Sequence, residues 1–172
     1  LIDKKLMLIF GGHPYINIRS SLNSFLPKKL PKSISDKLIN FYLNKLNNHQ
    51  YLHDKIEFAL VYSCYTPKLN SDLNELKKNN FSTEEINIIK NKLKNLTKNF
   101  FLNKKISIEF NLEQIEILDE KFLEIKDKND VKDLKIILDN CIKFGTLPFS
   151  ILARYAFIAS KILNDLCDLK LI

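Results

Sequence analysis

The 172-residue chain has no tryptophan, one methionine, three glycines, three cysteines and only two arginines. Three glycines all but exclude a phosphate-cradling loop. Neither Gly-x-x-x-x-Gly-Lys nor Gly-x-Gly-x-x-Gly occurs, and no Gly-x-Ser-x-Gly elbow is present. Cys64, Cys141 and Cys167 are odd in number, widely spaced and never in a Cys-x-x-Cys pair. That argues against a disulfide framework or zinc ribbon and fits a cytoplasmic setting. No apolar run reaches the roughly 18 residues of a membrane span. The longest candidate, residues 147–159, is interrupted by Arg154, so no membrane association is expected. Residues 1–5 lack the apolar stretch of a signal peptide. The chain opens on Leu1 rather than Met, and it is expected to be a single domain, residues 1–172, within a longer protein.

Hydrophobic residues make up 45% and charged residues 27%, a balance that can build a buried core. Lysine (25), isoleucine (22) and asparagine (19) are enriched. The net charge of +7 is uneven. Residues 1–105 carry 18 basic and 8 acidic side chains, a net +10, and residues 106–172 carry 9 and 12, a net −3. A solvated lysine surface explains this more simply than a polyanion site. The lysines at 90, 92, 94 and 98 lack interleaved aromatics, which disfavours nucleic acid as a partner.

Periodicity predicts an α+β fold: a small antiparallel sheet from the N-terminal third, covered by a helical majority. Residues 6–10 read as a strand, followed by a Gly11-Gly12-His13-Pro14 turn. Residues 15–22 read as a second strand. It would place Ile16, Ile18 and Leu22 on one face and Asn17, Arg19, Ser21 and Asn23 on the other. Residues 56–65 read as a third strand, with Glu57 among apolar neighbours. Ser33 or Ser35 could cap a helix running to about residue 46. A short helix is expected over 69–78. Ser82 followed by Glu85 is a capping-box pattern opening a long helix with Ile86, Ile89, Leu93, Leu96 and Phe100 at helical spacing. Residues 106–112 alternate like a strand, but the pattern beyond favours helix from about Asn111, through Ile115, Leu118, Phe122 and Ile125. Asp130 should start another helix, with Val131, Leu134, Leu138 and Cys141 inward and Gly145 as its stop. A last helix, with Pro148 in its first turn, should end near Asp168 and run through the middle of the core.

Among lysines, an arginine marks a position where a planar bidentate fork is of use for carboxylate or phosphate. Arg19 and Glu57 could form a cross-strand ion pair that fixes register. Equally, Arg19 with Asn17, Ser21 and Asn23 could grip an anionic or amide-bearing ligand, with Glu57 as orienter or catalytic base. Arg154, in an apolar stretch, is a second candidate for ligand binding or simply reaches the surface. His49 and His53 are four residues apart, but Gln50 follows His49 and no third ligand is near, so no metal site is expected. His13, in a turn, could contact ligand or lie on the surface.

Three strings together resemble the central region of phosphoenolpyruvate-synthase-like kinases of bacterial surface-polysaccharide loci. The first is Phe10-Gly11-Gly12-His13-Pro14-Tyr15-Ile16-Asn17-Ile18-Arg19-Ser20-Ser21-Leu22-Asn23, continuing to Pro27. The second is Leu52-His53-Asp54-Lys55-Ile56-Glu57-Phe58, with Ser63-Cys64-Tyr65-Thr66 beyond it. The third is Gly145-Thr146-Leu147-Pro148-Phe149-Ser150-Ile151-Leu152-Ala153-Arg154-Tyr155, continuing to Ala159. Within that family the strings are most like members acting on the side-chain amide of L-glutamine for capsular phosphoramidate. The resemblance implies phosphoryl transfer from ATP to a histidine on a mobile domain and then to an acceptor. This region would bind the acceptor, with ATP and Mg2+ on an ATP-grasp domain elsewhere in the polypeptide and the histidine on a third domain. No ATP-grasp sequence and no Thr-x-His motif lies in these residues. None of His13, His49 and His53 matches the phosphocarrier. The alternative is a non-catalytic domain that docks partner domains or a polyanion such as RNA.

Overall fold

The computed structural model describes residues 6–125 and 131–172. Asp130, expected to open a helix, lies outside the described residues, as do the side chains of Phe58, Ile125 and Val131. The fold is α+β with a helical majority. Strands β1 (Met7–Phe10) and β2 (His13–Ile16) form a two-stranded antiparallel hairpin, pairing Met7 with Ile16 and Phe10 with His13. Gly11 and Gly12 both take positive φ, 56° and 82°, the requirement of a tight two-residue hairpin turn. Pro14 sits within β2 opposite Ile9, which an unpaired edge tolerates because proline has no N–H to donate.

The expected second strand ends there. Helix α1 (Ile18–Ser24) takes over, with Asn17 as its cap: Asn17 Oδ1 accepts from the Ser20 N–H at 3.2 Å. Helix α2 spans Lys32–Asn48. Neither Ser33 nor Ser35 caps it, since Pro31 holds the cap position and the Ser35 hydroxyl donates back to the Leu30 carbonyl. The expected third strand is also replaced. Residues Ile56–Leu60 form one π-turn, closed by the Val61 N–H on the Ile56 carbonyl, and residues 61–66 continue as irregular chain. Helices α3 (Leu69–Asp72) and α4 (Asn74–Lys78) fill the expected short helical stretch. Helix α5 runs from Thr83 to Leu102. The capping box forms: Ser82 N–H donates to Glu85 Oε2 at 2.8 Å, and Glu85 N–H donates to Ser82 Oγ at 3.1 Å.

The described chain divides into two compact units, residues 1–97 with 164–172, and residues 98–163. In the first, α1, α2, α3, α4 and α5 close over one core. Leu22, Leu38, Tyr42, Leu76, Ile89 and Leu93 are each at most 1% exposed. Phe41 stacks on Tyr62 and meets Phe81 edge-on.

The second unit departs furthest from expectation. Helix α6 (Ile108–Ile125) starts with the Ser107 Oγ accepting from the Phe110 N–H. Helix α7 (Val131–Asn140) does not stop at Gly145. It passes through a π-segment, Cys141–Thr146, into α8 (Leu147–Asp168). Pro148 supplies the cause: it has no N–H for the preceding turn and its ring crowds that turn's carbonyl, and a widened turn relieves both. Gly145 serves close packing instead, because a Cβ there would lie 3.0 Å from Leu118 Cδ2 of α6. Leu134, Leu138 and Cys141 are exposed rather than inward. The first half of α8 is not in the middle of a core either: Leu147 and Phe149 are 57% and 67% exposed. The continuous helix Asp133–Asp168 has an 18-residue stretch of mean hydropathy 1.4, 11% of it buried, so by length and composition it could cross a membrane. The interrupted apolar run concealed this, since the π-segment carries the helix past Gly145.

Two outcomes follow. Leu93→Ala should cost about 2–5 kcal/mol in denaturant unfolding, because it empties a fully enclosed site. The Glu85 carboxylate is held below its ordinary range by hydrogen bonds from Lys37 and from the Ser82 N–H. A lowered folded pKa means that the cap's contribution is complete above the ordinary glutamate range and is lost as pH falls through the folded value. The Ser82 amide shift should therefore titrate at a lower pH than an isolated glutamate, and Lys37→Ala should move that midpoint up.

Candidate functional site

The helix at 18–24 dissolves the polar face expected for a strand. At 100° per residue Arg19 and Ser21 lie on nearly opposite sides, while Arg19 and Asn23 share one. Asn17 is occupied as the helix cap, and its own N–H donates to the Leu6 carbonyl at 2.8 Å. Ser21 is half-buried and Asn23 exposed.

Arg19 turns toward α2. Its Nη1 donates to Asn40 Oδ1 at 2.9 Å, and Nη2 lies 3.7 Å from Asp36 Oδ1. Asp36 and Asn40 are one helical turn apart, so together they hold the guanidinium edge. Neither Arg19 nor Glu57 lies on a strand, so the expected cross-strand role in fixing register does not arise. About half of each partner's side chain is exposed (45% for Arg19, 53% for Asp36), so this ion pair adds at most about 1 kcal/mol. Chemically it matters more: a ligand carboxylate at Arg19 must compete with Asp36 already beside it.

Glu57 lies half-buried in the first turn of the π-segment. Arg154 lies half-buried on α8, in the second unit. Both are engaged rather than free. Arg19, Asn17, Ser21, Asn23 and Glu57 all belong to the first unit.

The histidines do not converge. His49 ends α2 and meets Tyr51 edge-on; His53 Nδ1 lies 3.0 Å from the Gln50 carbonyl. His13 is exposed on β2. Among the described residues no group of three or more His, Cys, Asp or Glu side chains is placed to hold a metal.

The feature that periodicity missed is the irregular segment 61–66. It is buried apart from half-buried Tyr65, although irregular backbone normally stays at the surface where water can satisfy it. Side chains satisfy it here. Tyr62 N–H donates to the Tyr42 hydroxyl at 3.1 Å, and Tyr65 N–H donates to Thr97 Oγ1 at 2.8 Å. Tyr62 Oη reaches the Asp72 carbonyl at 3.0 Å and Glu75 Oε2 at 3.3 Å. Burial pushes both tyrosine hydroxyls well above their ordinary range, and the nearby Glu75 carboxylate raises both further. Both therefore remain protonated.

Just beyond, the Lys68 N–H donates to buried Asp165 at 3.0 Å, and Lys68 Nζ pairs with Asp168 at 2.6 Å. The hydrogen bond to Asp168 raises the Lys68 ammonium's pKa. Thr66 Oγ1 is buried with no hydrogen-bond partner. The sequence signal was Ser63, Cys64 and Thr66 directly after an apolar stretch, a polar run at the end of the residues read as a third strand.

Comparisons with protein-family models, with curated proteins and with solved structures returned no match.

Tyr42→Phe should cost about 1–3 kcal/mol, because it leaves the buried Tyr62 N–H without an acceptor. Thr66→Val, which removes an unpaired hydroxyl at constant volume, should be neutral or stabilising in the same denaturation assay. A loss above about 1 kcal/mol would mean that the hydroxyl is hydrogen-bonded in solution.

Proposed function

We propose that this chain is the acceptor-binding region of an ATP-dependent phosphotransferase acting through a phosphohistidine, an enzyme of the L-glutamine kinase type. Alone it is expected to be inactive. ATP and Mg2+ belong to an ATP-grasp domain and the phosphohistidine to a further domain of the same polypeptide.

The observation that carries this reading is the set of three strings resembling phosphoenolpyruvate-synthase-like kinases. One structural relation supports it. Leu22 of the first string and the 60–62 region between the two parts of the second belong to one buried cluster. The same core thus positions Arg19 and the buried polar segment.

An amide nitrogen is a poor nucleophile, so the acceptor must be oriented closely and its proton taken as the new N–P bond forms. Glu57 is the candidate base or orienter. Arg19 would hold the acceptor carboxylate, with Asn23 on the same side of α1. Asp36 tempers the Arg19 assignment, since binding there would exchange one carboxylate for another.

The alternative reading, a domain whose role is docking, is favoured by the hairpin. Met7, Ile9, Phe10, Tyr15 and Ile16 are each more than half exposed. An isolated two-stranded ribbon is marginal in water, so such a surface suits burial against other domains better than binding RNA.

In the full enzyme, Arg19→Ala should leave ATP-dependent histidine phosphorylation intact. It should slow transfer to L-glutamine by about tenfold or more, the worth of a charged hydrogen bond. Equal effects on both half-reactions, or none on either, would remove Arg19 from the site. Salt-sensitive RNA retention without any L-glutamine-dependent amide shifts would favour docking.

A further inference from the structure

In Thr66-Pro67-Lys68 the threonine hydroxyl is spaced to turn back on the amide two residues ahead, and proline between them has no N–H to compete for it. That bond is not made. The Lys68 N–H donates instead to Asp165 Oδ2 at 3.0 Å, from the last turn of α8. Thr66 Oγ1 is left buried without a partner, the only such side-chain atom among the described residues. Lys68 holds α8 a second time, because its Nζ pairs with Asp168 Oδ2 at 2.6 Å. Between residues 159 and 172 Asp165 is the only buried residue; Leu166 beside it is half-buried, and the chain from Cys167 onward is exposed.

We propose that the end of α8 is a latch in which the Lys68 N–H has two acceptors: Asp165 while the helix end is docked on residues 66–68, and Thr66 once it is released. The anchor is chemically suited to a reversible contact. A leucine in its place would lose favourable burial on leaving, whereas a buried carboxylate regains its hydration. The outer pair of Lys68 and Asp168 is 35% and 57% exposed, so it holds the end only weakly. On release the Lys68 amide passes to the hydroxyl two residues back, and neither group is left unpaired. The docked state carries an orphaned hydroxyl that the released state does not, which narrows the gap between the two. The turn at residues 66–68 is thus kept in both states, and the moving part is residues 165–172. The latch is independent of the acceptor-binding reading.

A double-substitution cycle tests it. Thr66→Val should leave the urea midpoint of the parent chain unchanged or raise it, and should lower the midpoint of Asp165→Ala, where Thr66 is the amide's remaining acceptor. In that background Thr66→Val should also speed Lys68 amide exchange by about fivefold or more, the worth of one hydrogen bond. Asp165→Leu, similar in shape to the original side chain and without an acceptor, serves for the same cycle if Asp165→Ala does not fold. Asp165→Asn, whose amide oxygen still accepts, should restore indifference to Thr66→Val. Spin labels on exposed Cys167 and on Asn70→Cys, in a Cys141→Ser chain, should give one docked distance in the parent and a longer one beside it in Asp165→Ala. A Thr66→Val effect of equal size with and without Asp165 overturns the latch. So does Lys68 exchange indifferent to Thr66 once Asp165 is gone, or a single label distance in every background.

Discussion

The hydrogen bond from the Tyr62 N–H to the Tyr42 hydroxyl carries the first unit's architecture. Residues 61–66 run through the interior without a helix or sheet to satisfy their backbone. A buried N–H without an acceptor costs about 1–3 kcal/mol, so such a path exists only where side chains stand in for water. Tyr42 can do so because α2 places it, 1% exposed, beside the segment, where a lone pair of its hydroxyl oxygen accepts the Tyr62 N–H. Thr97 does the same from α5 for Tyr65. The aromatic stack of Phe41 on Tyr62 then holds the ring whose hydroxyl reaches Asp72 and Glu75. Polar satisfaction and apolar packing are carried by the same residues, so neither can be altered alone.

Much of the fold was legible where one physical signal acted without competition. The Ser82–Glu85 box has reciprocal hydrogen bonds that no strand can offer, and α5 follows from it. Gly11-Gly12 can only be a tight turn. The errors came where two periods fit the same few residues. Ile18 and Leu22 alternate acceptably for a strand, yet they are also one helical turn apart, and Asn17 as a cap decides for helix. Residues 56–65 alternate because a π-turn followed by extended chain mimics a strand over ten positions. Gly145 looked like a stop because glycine commonly ends helices. Its actual constraint, room for Leu118, is a tertiary contact invisible in local sequence.

The candidate residues were chosen by their chemistry, and their surroundings are set by contacts distant in sequence. Arg19 does hold a carboxylate and an amide, as its chemistry suggested, but they are Asp36 and Asn40 from α2, distant in sequence. Asn17 proved to be structural, for the reason that asparagine is favoured at helix caps. A guanidinium with one edge occupied still offers its remaining N–H groups, and Asp36 lowers the local positive charge. A zwitterion, whose ammonium could use the same Asp36, would suit such a group better than a bare anion.

The uneven charge of the sequence gains a different meaning from the fold. Half of the twelve acidic residues of 106–172 lie on α6, and the apolar residues expected to build a core for α7 and α8 lie exposed. Hydrophobic burial supplies most of the stability of a helical layer, and helices that leave such residues exposed forgo part of what they could bury. The first unit closes its core within itself. The second leaves apolar residues of both its helices exposed.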